Sequence, residues 1–253
     1  MNNVSVVIIT LNEEARIARC IESVLPIADE IIVVDSLSQD KTKEICLSFK
    51  VKFFEHPFED YISQKNYANS LAKSDFVLAL DADEAIDEML CQSILKAKTA
   101  SDFDGYLMNR MNCYCGKWLR HGSWYPDRKL RLFNKNKGKW DGLFIHETIQ
   151  MEEGSIIGYL KGHILHDTYD SIDAHVSQFN KFTSLSACKL YSQNRKIGVF
   201  GILFKPFYHF IQGFFFKLGF LDGYYGIVIC LINSFATFIK YIKLKELHKT
   251  GKL

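Results

Sequence analysis

Two carboxylates one residue apart, Asp81 and Asp83, follow a run of apolar residues, Phe76-Val77-Leu78-Ala79-Leu80. In an extended segment residues i and i+2 point to the same side, so both carboxylates can approach one cation. Hard divalent ions prefer oxygen ligands, and Mg2+ is usually held by one or two carboxylates together with substrate phosphates. The pair alone is a weak signal. It gains weight because two other polar clusters also end apolar runs: Thr10-Leu11-Asn12-Glu13 and Asp35-Ser36. The alternative for each is local: Asn12 and Ser36 as helix N-caps, Asp35 as a turn residue.

Competing phosphate chemistry is missing from the sequence. It contains no G-x-x-x-x-G-K-[ST], no G-x-G-x-x-G after the first apolar run, no G-x-S-x-G and no H-E-x-x-H. Those absences remove phosphate-loop NTPases, the usual dinucleotide fingerprint, the nucleophile elbow and the zincins. A diphosphate here would be held by metal rather than by a glycine loop.

The elements that must position these clusters alternate over the first ninety residues. Val4 to Ile9 is β-branched almost throughout, Glu13 to Val24 carries apolar residues at helical spacing, and Ile31 to Val34 is a second strand-like run. Helix candidates Lys41 to Ser48 and Ile62 to Ala72 lead to strands Val51 to Phe54 and Phe76 to Leu80, and Asp87 to Lys98 is helical again. Apolar strands separated by helices of about ten residues indicate βαβ units, with a parallel sheet covered on both faces. Ligands of such sheets bind outside the carboxyl ends of the strands, where the polar clusters fall. From about Gly105 to Thr168 aromatic and basic residues interleave with Gly. Leu130 to Phe133 and Ile156 to Leu160 are strand candidates there, with Gly138 and Gly142 in turns. Residues 171–194 form an amphipathic helix candidate.

The remaining chain is aromatic. Twenty Phe and twelve Tyr are many for 253 residues, and thirteen of them lie between Phe200 and Phe238. Pro206, Gly213, Gly219, Gly223, Gly226 and Asn233 interrupt this segment, so it is expected to be too broken to cross a bilayer. Lys240, Lys243, Lys245, Lys249 and Lys252 follow it, a pattern suited to the plane of an anionic membrane surface. The alternative is a helical subdomain packed on the rest of the chain or on a second copy.

A hydrophobic fraction of 48% and a formal charge of +2 exclude disorder, collagen and a small disulfide scaffold, and give no reason to expect nucleic acid. Seven scattered cysteines with no secretory signal before them point to a reducing cytoplasm. Cys113 and Cys115 lack the second pair a zinc site needs and are expected to be structural.

Taken together, Val6 to Glu13 (VVIITLNE), Ile31 to Asp40 (IIVVDSLSQD), Gln64 to Ala68 (QKNYA) and Leu80 to Glu84 (LDADE) resemble the family-2 glycosyltransferases of GT-A fold, inverting enzymes that use nucleotide-diphosphate sugars. Arg120 to Phe133, His146-Glu147, His166 and the segment from Lys205-Pro206 to Asp222-Gly223 are similar to the branch of lipopolysaccharide-core β-glucosyltransferases. Two positions depart: the family usually has a small residue where Leu37 stands, and Arg is commoner than Lys65.

The resemblance implies an α/β GT-A fold, a mostly parallel sheet flanked by helices with an aromatic helical extension. Residues 1–100 would be the nucleotide-sugar-binding half and 101–170 the acceptor-binding and catalytic half of one domain, with 171–253 the membrane-associated extension. It implies that Thr10, Asn12, Glu13 and Asp35 line the nucleotide pocket, that Lys65 supports the base or a phosphate, that Asp81 faces ribose and metal, and that Asp83 is the principal ligand of Mg2+ or Mn2+. His166 is a candidate third ligand, better suited to Mn2+. Inversion needs a base near the acceptor hydroxyl. Glu147 is the first choice, then Asp127 and Asp167, with His146 ordering the base or touching phosphate. Arg120, Arg128 and Arg131 are candidates for the diphosphate or for anionic groups on the acceptor. Trp118, Trp124 and Tyr125 either stack on sugar rings or simply pack.

The expected activity is transfer of a hexose, glucose from UDP-glucose, to the inner-core heptose of a lipid-anchored oligosaccharide at the inner face of the cytoplasmic membrane. Two alternatives stand beside it: the same chemistry on a polyprenyl-linked, capsular or protein acceptor, and a nucleotide-sugar-binding or membrane-scaffold protein without turnover. Association of copies through the C-terminal helices is a further expectation.

Overall fold

The computed structural model describes residues 3–99, 102–142 and 147–252. The alternating pattern of the first hundred residues folds as β1 (Val4–Thr10), α1 (Ile17–Val24), β2 (Glu30–Asp35), α2 (Thr42–Ser48), β3 (Lys52–Glu55), α3 (Tyr61–Leu71), β4 (Phe76–Asp81), β5 (Glu84–Ile86) and α4 (Glu88–Thr99). Then come β6 (Gly105–Tyr114), β7 (Lys117–Trp118), β8 (Asp127–Asn134), β9 (Gly138–Asp141), β10 (Thr148–Met151), β11 (Ile157–Tyr169), α5 (Ile172–Ser192), α6 (Val199–Ile211) and α7 (Gly223–Thr250). Gly138 opens a strand instead of sitting in a turn, and β11 runs well past the expected Leu160.

The main sheet has the order β3-β2-β1-β4-β8-β6-β11-β5. The first four strands are parallel, while β8 is antiparallel to both β4 and β6, and β5 to β11. Strand alternation splits the core in two. Val4, Val6, Ile8, Leu78 and Leu80 pack with α1 and α4 on one face, and Val7, Ile32, Val34, Val77 and Ala79 pack with Ala68 of α3, Phe133 and Trp140 on the other. With both faces covered, the strands are apolar at nearly every position, which is why they read as continuous runs.

The chain divides into two compact units. The first holds Met1–Arg110 and Asp127–His166, the second Met111–Pro126 and Asp167–Leu253. The division at His166/Asp167 lies close to the boundary expected at residue 170, while the loop-rich segment 111–126 groups with the C-terminal helices.

In the second unit Tyr114, Trp124, Tyr169, His175 and Tyr225 form one aromatic cluster, with Tyr114 at its centre. His175, buried on α5, hydrogen-bonds the Tyr114 hydroxyl at 3.0 Å. Burial pushes its imidazole down to about 4. Asp222, also buried, accepts from the backbone N–H of Arg120 and His121 and pairs with His121 Nδ1 at 3.1 Å, fixing the loop that carries those residues. Trp124 thus packs, while Arg120 remains exposed.

The aromatic segment is less broken than expected. α7 runs unbroken for 28 residues, about 42 Å at 1.5 Å per residue, through Gly226 and Asn233. Gly226 is a contact rather than a break: a Cβ there would stand 1.9 Å from the Gly219 carbonyl oxygen. Val199–Phe216 and Gly219–Thr250 are both long and apolar enough to cross a membrane, by length and composition alone. That corrects the expectation that no stretch reaches spanning length. Phe200, Leu203, Phe207, Phe216 and Tyr224 are more than half exposed.

Candidate active site

The carboxyl ends of β1, β2 and β4 come together because β1 lies between the other two. Thr10 is in register with Asp35, and Ile9 with Asp81. The strand order reverses direction between β1 and β4, the place where open parallel sheets leave a crevice for ligands.

At the β1–β2 side, Asp35 is buried and accepts from Ser38 backbone N–H at 2.8 Å and from the Ser38 hydroxyl. The carboxylate thereby folds the turn through Leu37, whose φ is +66°. A leucine in this left-handed region costs roughly 1–2 kcal/mol. Asn12, at φ +54°, accepts from Gln39 N–H through Oδ1, and its own N–H donates to the Ser38 hydroxyl. Glu13 donates its N–H to Thr42 and ion-pairs with Arg16 at 3.2 Å. The buried Thr10 hydroxyl makes no hydrogen bond among the described residues.

The β4 end holds a chain of opposite charges. Asp60 caps α3 by accepting from Ser63 N–H. That helix delivers Lys65, 5% exposed, between Asp81 Oδ1 at 3.1 Å and Glu147 Oε1 at 3.1 Å, with its ammonium 4.6 Å from the centre of the Trp140 ring. On β8 the register against β6 slips between Tyr106 and Leu107, so Arg131 is the extra residue of a bulge. Bulges re-aim side chains. This one sends Arg131 to Asp81 Oδ2 at 3.1 Å and Glu84 Oε1 at 3.0 Å, with its guanidinium over Trp140. Arg110 continues the chain from Glu84, 3.2 Å, to Asp127, 2.9 Å. Burial alone would raise the Asp81 carboxyl, but the Lys65 and Arg131 charges outweigh it and hold it well below the usual carboxylate range. The Tyr61 phenol is pushed up by burial and then by Asp81, Glu147 and Asp83, whose three charges all reach it.

Asp83 stands apart from this chain. Its Oδ2 lies 3.2 Å from His166 Nε2, and His166 sits opposite Glu84 in the β5–β11 register. Gly162, at φ +103°, lets β11 pass the start of α4, where a Cβ would meet Leu90 N at 2.2 Å. Among the described residues no three His, Cys, Asp or Glu side chains form a metal-binding group. The one carboxylate and one imidazole of Asp83 and His166, both partly exposed, nonetheless fit an ion that takes its other ligands from water and a diphosphate. Asp81 does not join them in this arrangement, because both its oxygens face cations.

Of the expected site residues, the structure brings Lys65, Asp81, Arg131, Glu147 and Asp127 into one connected network, with Asp83 and His166 as a second pair. Asp127 carries two cations, Arg110 and Lys129. Arg128 is not brought in: it is exposed and lies over the Tyr159 ring. His146 lies outside the described residues. Sequence reasoning missed Glu84 and Arg110. The available signal was three carboxylates within four residues at a buried strand end, which demands cations from elsewhere. It also missed Gln64, which ties Ser36 to His56, and Asn66, which pairs with both backbone groups of Trp140.

A family model described as Glycosyl transferase family 2 matches residues 5–156. The chain belongs to glycosyl transferase family 2. Its relatives include a glycosyltransferase of Rickettsia typhi, 32% identical over 98% of this chain and 88% of the relative. Another is the lipopolysaccharide core biosynthesis glycosyltransferase LpsC of Rhizobium meliloti, 28% identical over 96% of this chain and 92% of LpsC. Among solved structures, that of Staphylococcus aureus TarS residues 1–349 in complex with UDP aligns with a TM-score of 0.49 at 16% identity, covering 99% of this chain and 92% of that one. The matched residues of this glycosyltransferase contain every member of the Asp81 network.

Proposed function

We propose that this glycosyltransferase moves a hexose, glucose from UDP-glucose, with inversion onto the inner-core heptose of a lipid-anchored lipopolysaccharide or lipooligosaccharide. The name of the LpsC relative supports the acceptor class. The observation that carries the chemistry is Lys65 held between Asp81 and Glu147, which sets a carboxylate and a cation side by side at the carboxyl end of β4.

Glu147 uses Oε1 for Lys65, while its Oε2 makes no hydrogen bond among the described residues. In the proposed step this carboxylate takes the acceptor hydroxyl's proton. The acceptor oxygen bonds to the anomeric carbon as the bond to the diphosphate oxygen breaks, and UDP leaves. Asp35, Asn12 and Thr10 receive the nucleoside at the ends of β1 and β2, where the Thr10 hydroxyl has bonding capacity to spare. Asp83 and His166 would hold a divalent ion, Mn2+ in preference to Mg2+ because of the imidazole, which supplies positive charge for the departing diphosphate. Lys65 and Arg131 anchor the carboxylates around it.

Incubating the full chain with UDP-glucose, Mn2+ and deacylated inner core tests this reading, with UDP release and product linkage as readouts. Glu147→Gln is expected to lower turnover by about 10²–10⁴; full turnover by that variant would remove Glu147 as the base. A panel of core, polyprenyl-linked and protein acceptors decides the acceptor class, and preference for either of the last two would overturn it.

The location proposed is the inner face of the cytoplasmic membrane. The exposed Phe200, Phe207 and Phe216, with Lys205, Lys217 and the basic end of α7, combine an apolar face with cations suited to anionic lipid. Co-sedimentation with phosphatidylglycerol vesicles and its loss in 1 M NaCl is the expected result; absence from the vesicle pellet at low salt would contradict it.

A further inference from the structure

The second unit contains a cavity of about 330 Å3 lined by α5, α7 and the aromatic cluster. Four rings and an imidazole face it: Trp124, Tyr169, Phe179, Phe182 and His175. The rest of the lining is Thr183, Ser186, Asn233, Thr237 and Lys240, with Ala236 the only aliphatic side chain. Helical spacing explains the grouping. Thr183 and Ser186 are one turn apart on α5, and Asn233, Thr237 and Lys240 follow each other at i+4 and i+3 on α7, so each helix presents one polar stripe.

That lining discriminates between ligand classes. A cavity for an acyl chain is walled by Leu, Ile, Val and Met, and a hydroxyl or amide there costs free energy unless it is paired. Here such side chains are missing from the wall, and the half-buried Asn233 amide makes no hydrogen bond among the described residues. Flat aromatic faces beside hydroxyl and amide groups suit a compact ligand with apolar C–H faces and many hydroxyls. Lys240 is the cavity's one ordinarily charged side chain and has no carboxylate partner among the described residues; its ammonium rests over the Tyr241 ring, 4.8 Å from the centre. His175 stays neutral at pH 7, so the charge in the lining is that of Lys240, with the Lys243 ammonium next to it, donating to the Thr183 hydroxyl at 3.0 Å. The volume is ample for one or two sugar rings and lies at the lower end of the range for small-molecule sites.

We propose that this cavity is a second saccharide site that takes a sugar bearing a phosphate or carboxylate group, its ring against the aromatic wall and its anion on Lys240. The proposal stands on the cavity alone and does not depend on the donor, acceptor or base assigned above.

The test is isothermal titration of the full chain with mannose 6-phosphate, methyl mannoside, inorganic phosphate and dodecyl phosphate, each with and without saturating UDP. Mannose 6-phosphate is expected to bind at least tenfold more tightly than methyl mannoside or phosphate, with no change on adding UDP. Lys240→Gln is expected to weaken it about tenfold, as loss of one charge-assisted hydrogen bond would. Ala236→Phe, which fills the cavity, abolishes it while leaving UDP binding intact. No binding of mannose 6-phosphate, equal binding by phosphate alone, displacement by UDP, or tighter binding of dodecyl phosphate would each overturn the proposal. So would unchanged affinity in Lys240→Gln.

Discussion

The two units bury polar groups by opposite means. In the first, Asp81 and Glu84 are neutralised by full charges from Lys65, Arg131 and Arg110, two of them stacked on Trp140. In the second, Asp222 is held by backbone N–H groups and one imidazole, and His175 by a phenol among rings. Charge against charge at the end of a parallel sheet leaves a polar site ready to handle a charged leaving group. Rings around a neutral imidazole leave a cavity suited to a ring-shaped ligand, with an exterior that remains aromatic. In the proposed reading the first arrangement serves chemistry on the donor and the second holds a ligand in place.

Breaking the charge chain is expected to have the largest effect on stability. Arg131→Ala leaves Glu84, whose side chain is fully buried, with Arg110 as its one remaining cation among the described residues. Removing one partner of a buried ion pair costs roughly 3–5 kcal/mol, so urea denaturation should show a loss of about 3 kcal/mol. A loss below 1 kcal/mol would mean the chain of charges contributes little to the fold.

The neutral imidazole gives the next effect, and its sign distinguishes the units. His175 titrates at about 4 when folded against an ordinary 6.5, so the unfolded chain takes up the proton first. Its contribution is whole above pH 6.5 and is lost as pH falls from 6.5 to 4, amounting to roughly 3 kcal/mol. Asp81 is depressed in the folded state, so its contribution fails only below the ordinary carboxylate range. Denaturation at pH 7 and pH 4.5 should show the wild type losing about 2 kcal/mol or more, and His175→Gln losing clearly less. Equal losses in both proteins would place the acid sensitivity elsewhere.

A smaller effect is expected at the nucleotide end of the first unit. Leu37→Gly should relieve left-handed strain at φ +66° and, after the added flexibility of the unfolded chain, gain a few tenths to about 1 kcal/mol. A loss of stability would show that the exposed Leu37 side chain packs to advantage.

The same contrast governs what the sequence reveals. Parallel strands covered on both faces announce themselves as apolar runs, so β1 to β4 were legible, and with them the gathering of Thr10, Asp35 and Asp81 at one sheet edge. The bulge at Arg131 is invisible, because it depends on one register slip against β6. The Asp83–His166 contact depends on antiparallel β5–β11 pairing across more than eighty residues, and periodicity carries no such information. In the second unit glycines read as breaks. Gly226 instead lets α7 approach a carbonyl closely, so the helix was longer than its composition suggested.

The central claim is that the strand-end carboxylates of the first unit form the transfer site, and Asp83→Asn tests it most directly. Among the described residues Asp83 ion-pairs with His166 and with none of the buried cations, so its loss leaves the charge chain intact. UDP release from UDP-glucose in the presence of Mn2+ and acceptor should fall at least a hundredfold in Asp83→Asn, with the urea midpoint unchanged. Undiminished UDP release from a folded Asp83→Asn enzyme would contradict the account.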